Sequence, residues 1–195
     1  MTSRKIDYFF DYVSAYSYLV NSQVEKIEGA EVQYRPMLLG AVMQATGNSP
    51  PGKVKAKGKY LVTDLKRWAK RYGIPMHFNS IFPQNTMYAL RVAVAAQRRG
   101  VFHDIHQALF DAMFVHDLDL SDREVLSKII SDVGLDADEL MGDIESQSIK
   151  DELKDNTEEA IRRGVFGAPT FFVGDQMFFG NDRMEFIREA LERED

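Results

Sequence analysis

The sequence predicts an α/β fold in which one small sheet is built from both ends of the chain and interrupted by a long run of helices. Three observations predict it. Residues 6–35 read as strand, helix, strand, which is the length of a minimal parallel crossover. Residues 170–179 read as two short strands around a Gly174–Asp175 turn, an antiparallel hairpin. Almost everything between repeats its apolar residues at helical spacing. With 195 residues, 45% of them hydrophobic, the chain is long enough to bury a sizeable core as one domain or one domain with an insertion.

Taken in order, residues 6–12 (IDYFFDY) are aromatic and β-branched and read as a buried strand. Ser14 then opens a helical pattern through Tyr18, Leu19, Val20, Val24 and Ile27, which Gly29 ends. Residues 31–35 (EVQYR) alternate as a second strand, closed by Pro36. Residues 39–46 read as a short helix and 47–52 (GNSPPG) as a turn. Helices are expected over 55–72, stopped by Gly73 and Pro75, over 84–99, stopped by Gly100, and over 102–115. Another is expected over 121–133, with Ser121 as N-cap and Glu124 completing a capping box. Helices over 136–144 and 148–163 precede the hairpin strands 170–173 and 176–179, and a last helix is expected over 182–193.

Composition excludes several chemistries. With no cysteine, the chain itself has no disulfide, thiolate metal site, Cys nucleophile or Cys-based redox pair. A net charge of −6 argues against nucleic acid as a partner. That total hides an asymmetry. Between Lys53 and Arg71 eight basic residues face one acid, Asp64, a local +7 against −13 for the remainder. Such a run is either a solvated helix face or a basic rim that attracts an anionic small substrate. No apolar stretch approaches the roughly 20 residues of a membrane span, and the polar start carries no signal-peptide core, so a cytoplasmic protein with no membrane partner is expected. His103 and His106 lack a third ligand, so no metal is expected. There is no G-x-S-x-G elbow or phosphate-binding loop.

Three places could carry chemistry, and each has a plain structural alternative. Ser14-Ala15-Tyr16-Ser17 lies where the first strand meets the first helix. Unpaired N–H groups and the helix dipole favour an anion there, a thiolate included, and a hydroxyl adds one donor. The alternative is a simple N-cap on Tyr16 or Ser17. Gly164 to Thr170 (GVFGAPT) sets Pro169 just before a strand, as a strand start or a cis turn that would offer the Ala168 backbone to an extended ligand. The alternative is an ordinary helix-to-strand turn. Phe179 to Arg183 (FGNDR) places Asn181 and Asp182 at the start of the last helix. They can act as a cap or as the grip on a zwitterionic amino-acid head.

Together these segments, with Arg35-Pro36, Gly47 to Pro51 (GNSPP), residues 53–68 and residues 84–91, resemble the 2-hydroxychromene-2-carboxylate isomerase family, relatives of the kappa-class glutathione transferases. The likeness runs from about Ile6 to Leu191. It implies a thioredoxin-like domain (βαβ…ββα) interrupted by an all-α helical insertion, as in DsbA-type oxidoreductases. Residues 1–40 and 160–195 would form the thioredoxin-like domain and 41–159 the insertion. In those oxidoreductases a C-x-x-C opens the first helix. Here the slot holds Ser14 and Ser17, and the family takes its sulfur from glutathione. Relatives usually carry Pro where Ala15 stands, but Ala is also a good helix former and the site is expected to survive.

The resemblance implies that Ser14 is the catalytic residue, hydrogen-bonding the glutathione sulfur and favouring its thiolate. Glutathione binding falls to Ser14, Tyr16, Asn48, Ala168 beside a cis Pro169, Asn181 and Asp182, with Lys53, Lys57 and Asn85 on the substrate side. The implied activity is isomerisation of 2-hydroxychromene-2-carboxylate to trans-o-hydroxybenzylidenepyruvate in naphthalene-type aromatic catabolism. It proceeds by reversible thiolate addition, bond rotation and elimination, in a homodimer. Two alternatives stay open: a kappa-like transferase or peroxidase acting on electrophiles or hydroperoxides, and a non-catalytic thioredoxin-like binding module.

Overall fold

The computed structural model describes residues 4–193. The polar start, residues 1–3, lies outside the described residues. Four strands, β1 (Arg4–Phe10), β2 (Ala30–Pro36), β3 (Thr170–Val173) and β4 (Gln176–Phe179), form one sheet in the order β2-β1-β3-β4. β1 runs parallel to β2 and antiparallel to β3, and β3 is antiparallel to β4. The central strand is therefore paired on one side with the N-terminal crossover and on the other with the C-terminal hairpin. The helices are α1 (Ala15–Val24), α2 (Leu39–Thr46), α3 (Lys55–Tyr72), α4 (Met87–Arg99), α5 (Phe102–Phe114), α6 (Arg123–Asp132), α7 (Ala137–Asp143), α8 (Gln147–Arg162) and α9 (Met184–Arg193), with one 3₁₀ turn over Pro51–Lys53. All of α2 to α8 lie in sequence between β2 and β3.

The apolar run of residues 8–10 at the end of β1 follows from burial on both faces of the sheet. Tyr8 and Phe10 face a large core with Leu19, Val20, Leu90, Phe110, Phe114 and Phe171, where the rings of Tyr8 and Phe171 stack 4.6 Å apart. Phe9, one step along the pleat, faces a second core with Met37, Val42, Ala160, Val165 and Phe172. No helix among the described residues is long and apolar enough to cross a membrane.

Several boundaries differ from the sequence reading. β1 stops at Phe10, not Tyr12: the Met37 N–H still donates to the Phe10 carbonyl, but the Asp11 carbonyl then accepts the Ser14 N–H in the turn that leads into α1. α1 ends at Val24, short of Ile27. α4 begins at Met87 rather than Gln84, whose side-chain amide bonds Asn79 Oδ1, the Leu118 carbonyl and the Leu120 N–H ahead of the helix. α6 is capped by Asp122, which accepts from the Glu124 N–H at 2.8 Å, while the Ser121 hydroxyl donates to Asp119. The last helix starts at Met184, so Asn181 and Asp182 lie in the turn before it.

Candidate active site

The N-terminus of α1 is built around Ser14. Its Oγ accepts from the Ser17 N–H at 3.1 Å, the cap bond, and its own O–H donates to the Ala168 carbonyl at 3.0 Å. No acid sits in the first turn of α1 itself, whose N–H groups and dipole favour an anion there. Ala15 takes the first helical position, and the cap forms without a proline there. The turn that delivers Ser14 is held by Asp11, whose carbonyl accepts the Ser14 N–H and whose carboxylate accepts the Val13 N–H.

Residues 166–169 receive contacts from the Ser14 turn, from Asn48 and from residues 179–180. The Ala168–Pro169 bond is cis. The Asn48 amide donates to the Phe166 carbonyl at 2.7 Å, and Gly180 N–H donates to the Pro169 carbonyl at 3.0 Å. The rings of Phe166 and Phe179 lie 4.6 Å apart, and Phe179 covers Gly167 so closely that a Cβ there would meet its ring at 2.7 Å. A side chain at position 167 would have to displace that ring. Asn181 is buried at 3% exposure and its carbonyl accepts the Tyr72 O–H at 2.9 Å, which ties the turn before α9 to the end of α3. Asp182 is exposed and pairs with Arg183 at 2.5 Å. Two buried side-chain atoms in this region have no hydrogen-bond partner: Ser17 Oγ and Asn181 Nδ2.

Beside Tyr16 opens a cleft of about 440 Å³, lined by Tyr16, Pro51, Ala56, Lys57, Tyr60 and Leu61. Its walls are mostly apolar and carry one cation, a composition suited to a small aromatic acid. The single acid of the basic segment, Asp64, does not pair with a lysine. It accepts from Tyr16 O–H at 2.8 Å and Tyr60 O–H at 3.3 Å. Burial, with that bond to Asp64 behind it, pushes the Tyr16 phenol well above its ordinary range, so it stays protonated. All eight basic residues from Lys53 to Arg71 are exposed, and among the described residues none forms an ion pair.

Not every expected residue converges here. Lys57 lines the cleft, whereas Lys53 is exposed in the preceding turn and is not among the lining residues. Asn85 is exposed and turns its Oδ1 back to the Met87 N–H. Tyr60, Leu61 and Asp64 were missed by sequence reasoning, although their spacing from Lys57 on one helix was available. Among the described residues no group of three or more His, Asp or Glu is placed to share a metal. His106 is buried between Tyr12 O–H on Nδ1 and Asn21 Oδ1 on Nε2, both 2.9 Å away. Burial, and to a lesser degree His103, holds it well below the usual histidine range, so it is a neutral core group.

Comparison with known proteins gives three findings. The profile of the DSBA-like thioredoxin domain matches residues 5–192. A 2-hydroxychromene-2-carboxylate isomerase from Sphingobium xenophagum is 32% identical over 97% of this chain and 98% of its own, and human glutathione S-transferase kappa 1 is 29% identical over 96% and 91%. A solved 2-hydroxychromene-2-carboxylate isomerase superposes with a TM-score of 0.88 at 28% identity, covering 97% of this chain and 95% of its own.

Proposed function

The chain belongs to the DSBA-like thioredoxin-domain family and, within it, to the family of the 2-hydroxychromene-2-carboxylate isomerases, and on that premise we propose that it is a glutathione-dependent enzyme interconverting 2-hydroxychromene-2-carboxylate and trans-o-hydroxybenzylidenepyruvate. The observation that carries the proposal is the Ser14 hydroxyl, placed between the N-terminus of α1 and the Ala168 carbonyl in a chain without cysteine.

The residues present fit glutathione. Asn181 Nδ2, beside the loop of residues 166–169, is a buried polar atom that the chain leaves without a partner, a costly arrangement unless something else meets it. When bound, glutathione supplies a thiolate that adds reversibly to the conjugated double bond of the opened substrate, so that the bond can rotate.

The chain's part is to hold and polarise. Ser14 has one hydroxyl proton, spent on the Ala168 carbonyl. The hydroxyl serves a sulfur only by turning that proton away, which leaves Ala168 to accept from a backbone-like N–H of the ligand. The α1 N-terminus and the Ser14 donor together lower the pKa of a thiol from its ordinary value of about 8.5. Asn48 and Asn181 border the same loop and hold the rest of the tripeptide. Asp182 takes an ammonium by exchanging its bond to Arg183. Tyr16, Tyr60 and Leu61 receive the aromatic ring, and Lys57 its carboxylate. The site would then lie between the thioredoxin-like part, residues 1–40 and 160–195, and the helical insertion, residues 41–159.

The test is an absorbance assay with 2-hydroxychromene-2-carboxylate, with and without glutathione, set beside conjugation of a chloronitrobenzene. The expected result is isomerisation that needs glutathione and does not consume it. Conjugation without isomerisation would instead assign the transferase reading, which the similarity to the human kappa enzyme favours as the alternative.

A further inference from the structure

Asp11 is the one charged side chain among the described residues that is buried, at 2% exposure. Burying a carboxylate is expensive, and no cation is paired with it among the described residues, so hydrogen bonds alone offset that cost. The bonds come from three separate parts of the chain. Oδ1 accepts the Val13 N–H at 3.1 Å and the Thr86 O–H at 2.5 Å, and Oδ2 accepts the Leu39 N–H at 2.9 Å. Val13 belongs to the turn that ends at Ser14. Leu39 is the first residue of α2, which runs to the turn carrying Asn48. Thr86 immediately precedes α4. The neighbouring core on this side is apolar, with Phe9, Met37, Leu39 and Val42, and packing alone asks for no charge there.

We infer that Asp11 is a positioning residue of the proposed site, its carboxylate fixing the Ser14 turn and the α2–Asn48 arm relative to one another on the two sides of residues 166–169. Resting on the glutathione reading above, it assigns a role to a residue that touches no ligand. It acts through Ser14, by way of Val13 and its own carbonyl, and through Asn48, by way of Leu39. The chemistry of the two carboxylate oxygens makes the arrangement directional. An asparagine at this position can keep Oδ1 as acceptor for Val13 and Thr86. It then presents an amide N–H to the Leu39 N–H, donor against donor, and so releases α2 first.

The test is a double-mutant cycle on Asp11→Asn and Asn48→Ala, read by calorimetric binding of glutathione to the full chain well below the melting midpoint of each variant. The two side chains make no direct contact, so additive losses are the default. The account expects Asp11→Asn to weaken binding about tenfold, and Asn48→Ala to add almost nothing once Asp11 is changed. Thr86→Val keeps the side-chain shape and removes one donor to Asp11. It should weaken binding about threefold, which keeps the test decisive if Asp11→Asn folds poorly. Additive losses, or a fall in melting temperature with glutathione affinity unchanged in both Asp11→Asn and Thr86→Val, would overturn the inference. Failure of the wild-type chain to bind glutathione would instead overturn the reading on which it rests.

Discussion

Two polar clusters share helix α1, and they are finished to different degrees. On the core side His106 has both ring nitrogens occupied, by Tyr12 and Asn21, and Asn21 passes its own amide on to Gln107. On the other side, at the helix N-terminus, Ser14 lends its proton to a backbone carbonyl, and Ser17 Oγ and Asn181 Nδ2 have no partner. Both clusters are buried, so exposure does not explain the contrast. The His106 cluster is satisfied within the fold, while the groups at the helix N-terminus keep capacity in reserve at a cost in stability; Arg91 Nε on α4 is also buried without a partner.

Substitutions can break this comparison from either side. The largest effect is expected at His106. His106→Leu strands the Tyr12 hydroxyl and the Asn21 carbonyl together and should cost about 4 kcal/mol of unfolding free energy. A denaturant titration measures it, and activity per folded molecule should be unchanged. Ser14→Ala should do the reverse. It loses a helix cap worth about 1 kcal/mol but lowers kcat/KM about 100-fold, as removal of one donor to a developing anion does.

The pH dependence of stability sharpens the core side. The unfolded chain protonates His106 near pH 6.5, while burial keeps the folded form neutral to lower pH. Acid therefore favours the unfolded state. Stability should fall by up to about 1.4 kcal/mol per pH unit as pH drops below about 6.5, a slope absent from His106→Leu in parallel melts. On the site side, Tyr72→Phe removes the donor to the Asn181 carbonyl and should raise the glutathione Kd about threefold in a calorimetric titration. The smallest effect is expected of Ala15→Pro. Position 15 is the first of the helix and Ser14 before it is extended, so proline fits and should raise stability by about 0.5 kcal/mol, visible as a small rise in Tm.

Where the signal was local, the sequence was a sufficient guide. Helices 39–46 and 55–72 end where glycines 47 and 73 adopt positive φ, and strands 170–173 and 176–179 flank a two-residue turn. Where structure depended on distant partners, it was not. Nothing near Gln84 announces that its amide belongs to Asn79 and residues 118–120, ahead of α4. Ser121 and Asp122 are both good caps, and only the local geometry selects the second. The same division holds in the site. Ser14 as a cap was legible from its place before an apolar helix. That Ala168 receives its proton across 154 residues was not. Asp11 carried a visible signal, a lone acid closing the aromatic run of residues 8–10, but its partners Leu39 and Thr86 lie 28 and 75 residues away.

The central claim is that the unfinished cluster at α1 is finished by a thiolate. The most direct measurement is a pH titration of bound glutathione, followed by ultraviolet thiolate absorbance, in the wild-type chain and in Ser14→Ala. The account predicts a bound thiol pKa at least about one unit below the free value of roughly 8.5 in the wild type, returning toward that value in the variant. A bound thiol that titrates at the free value in the wild type, or an equal depression in both proteins, would contradict it.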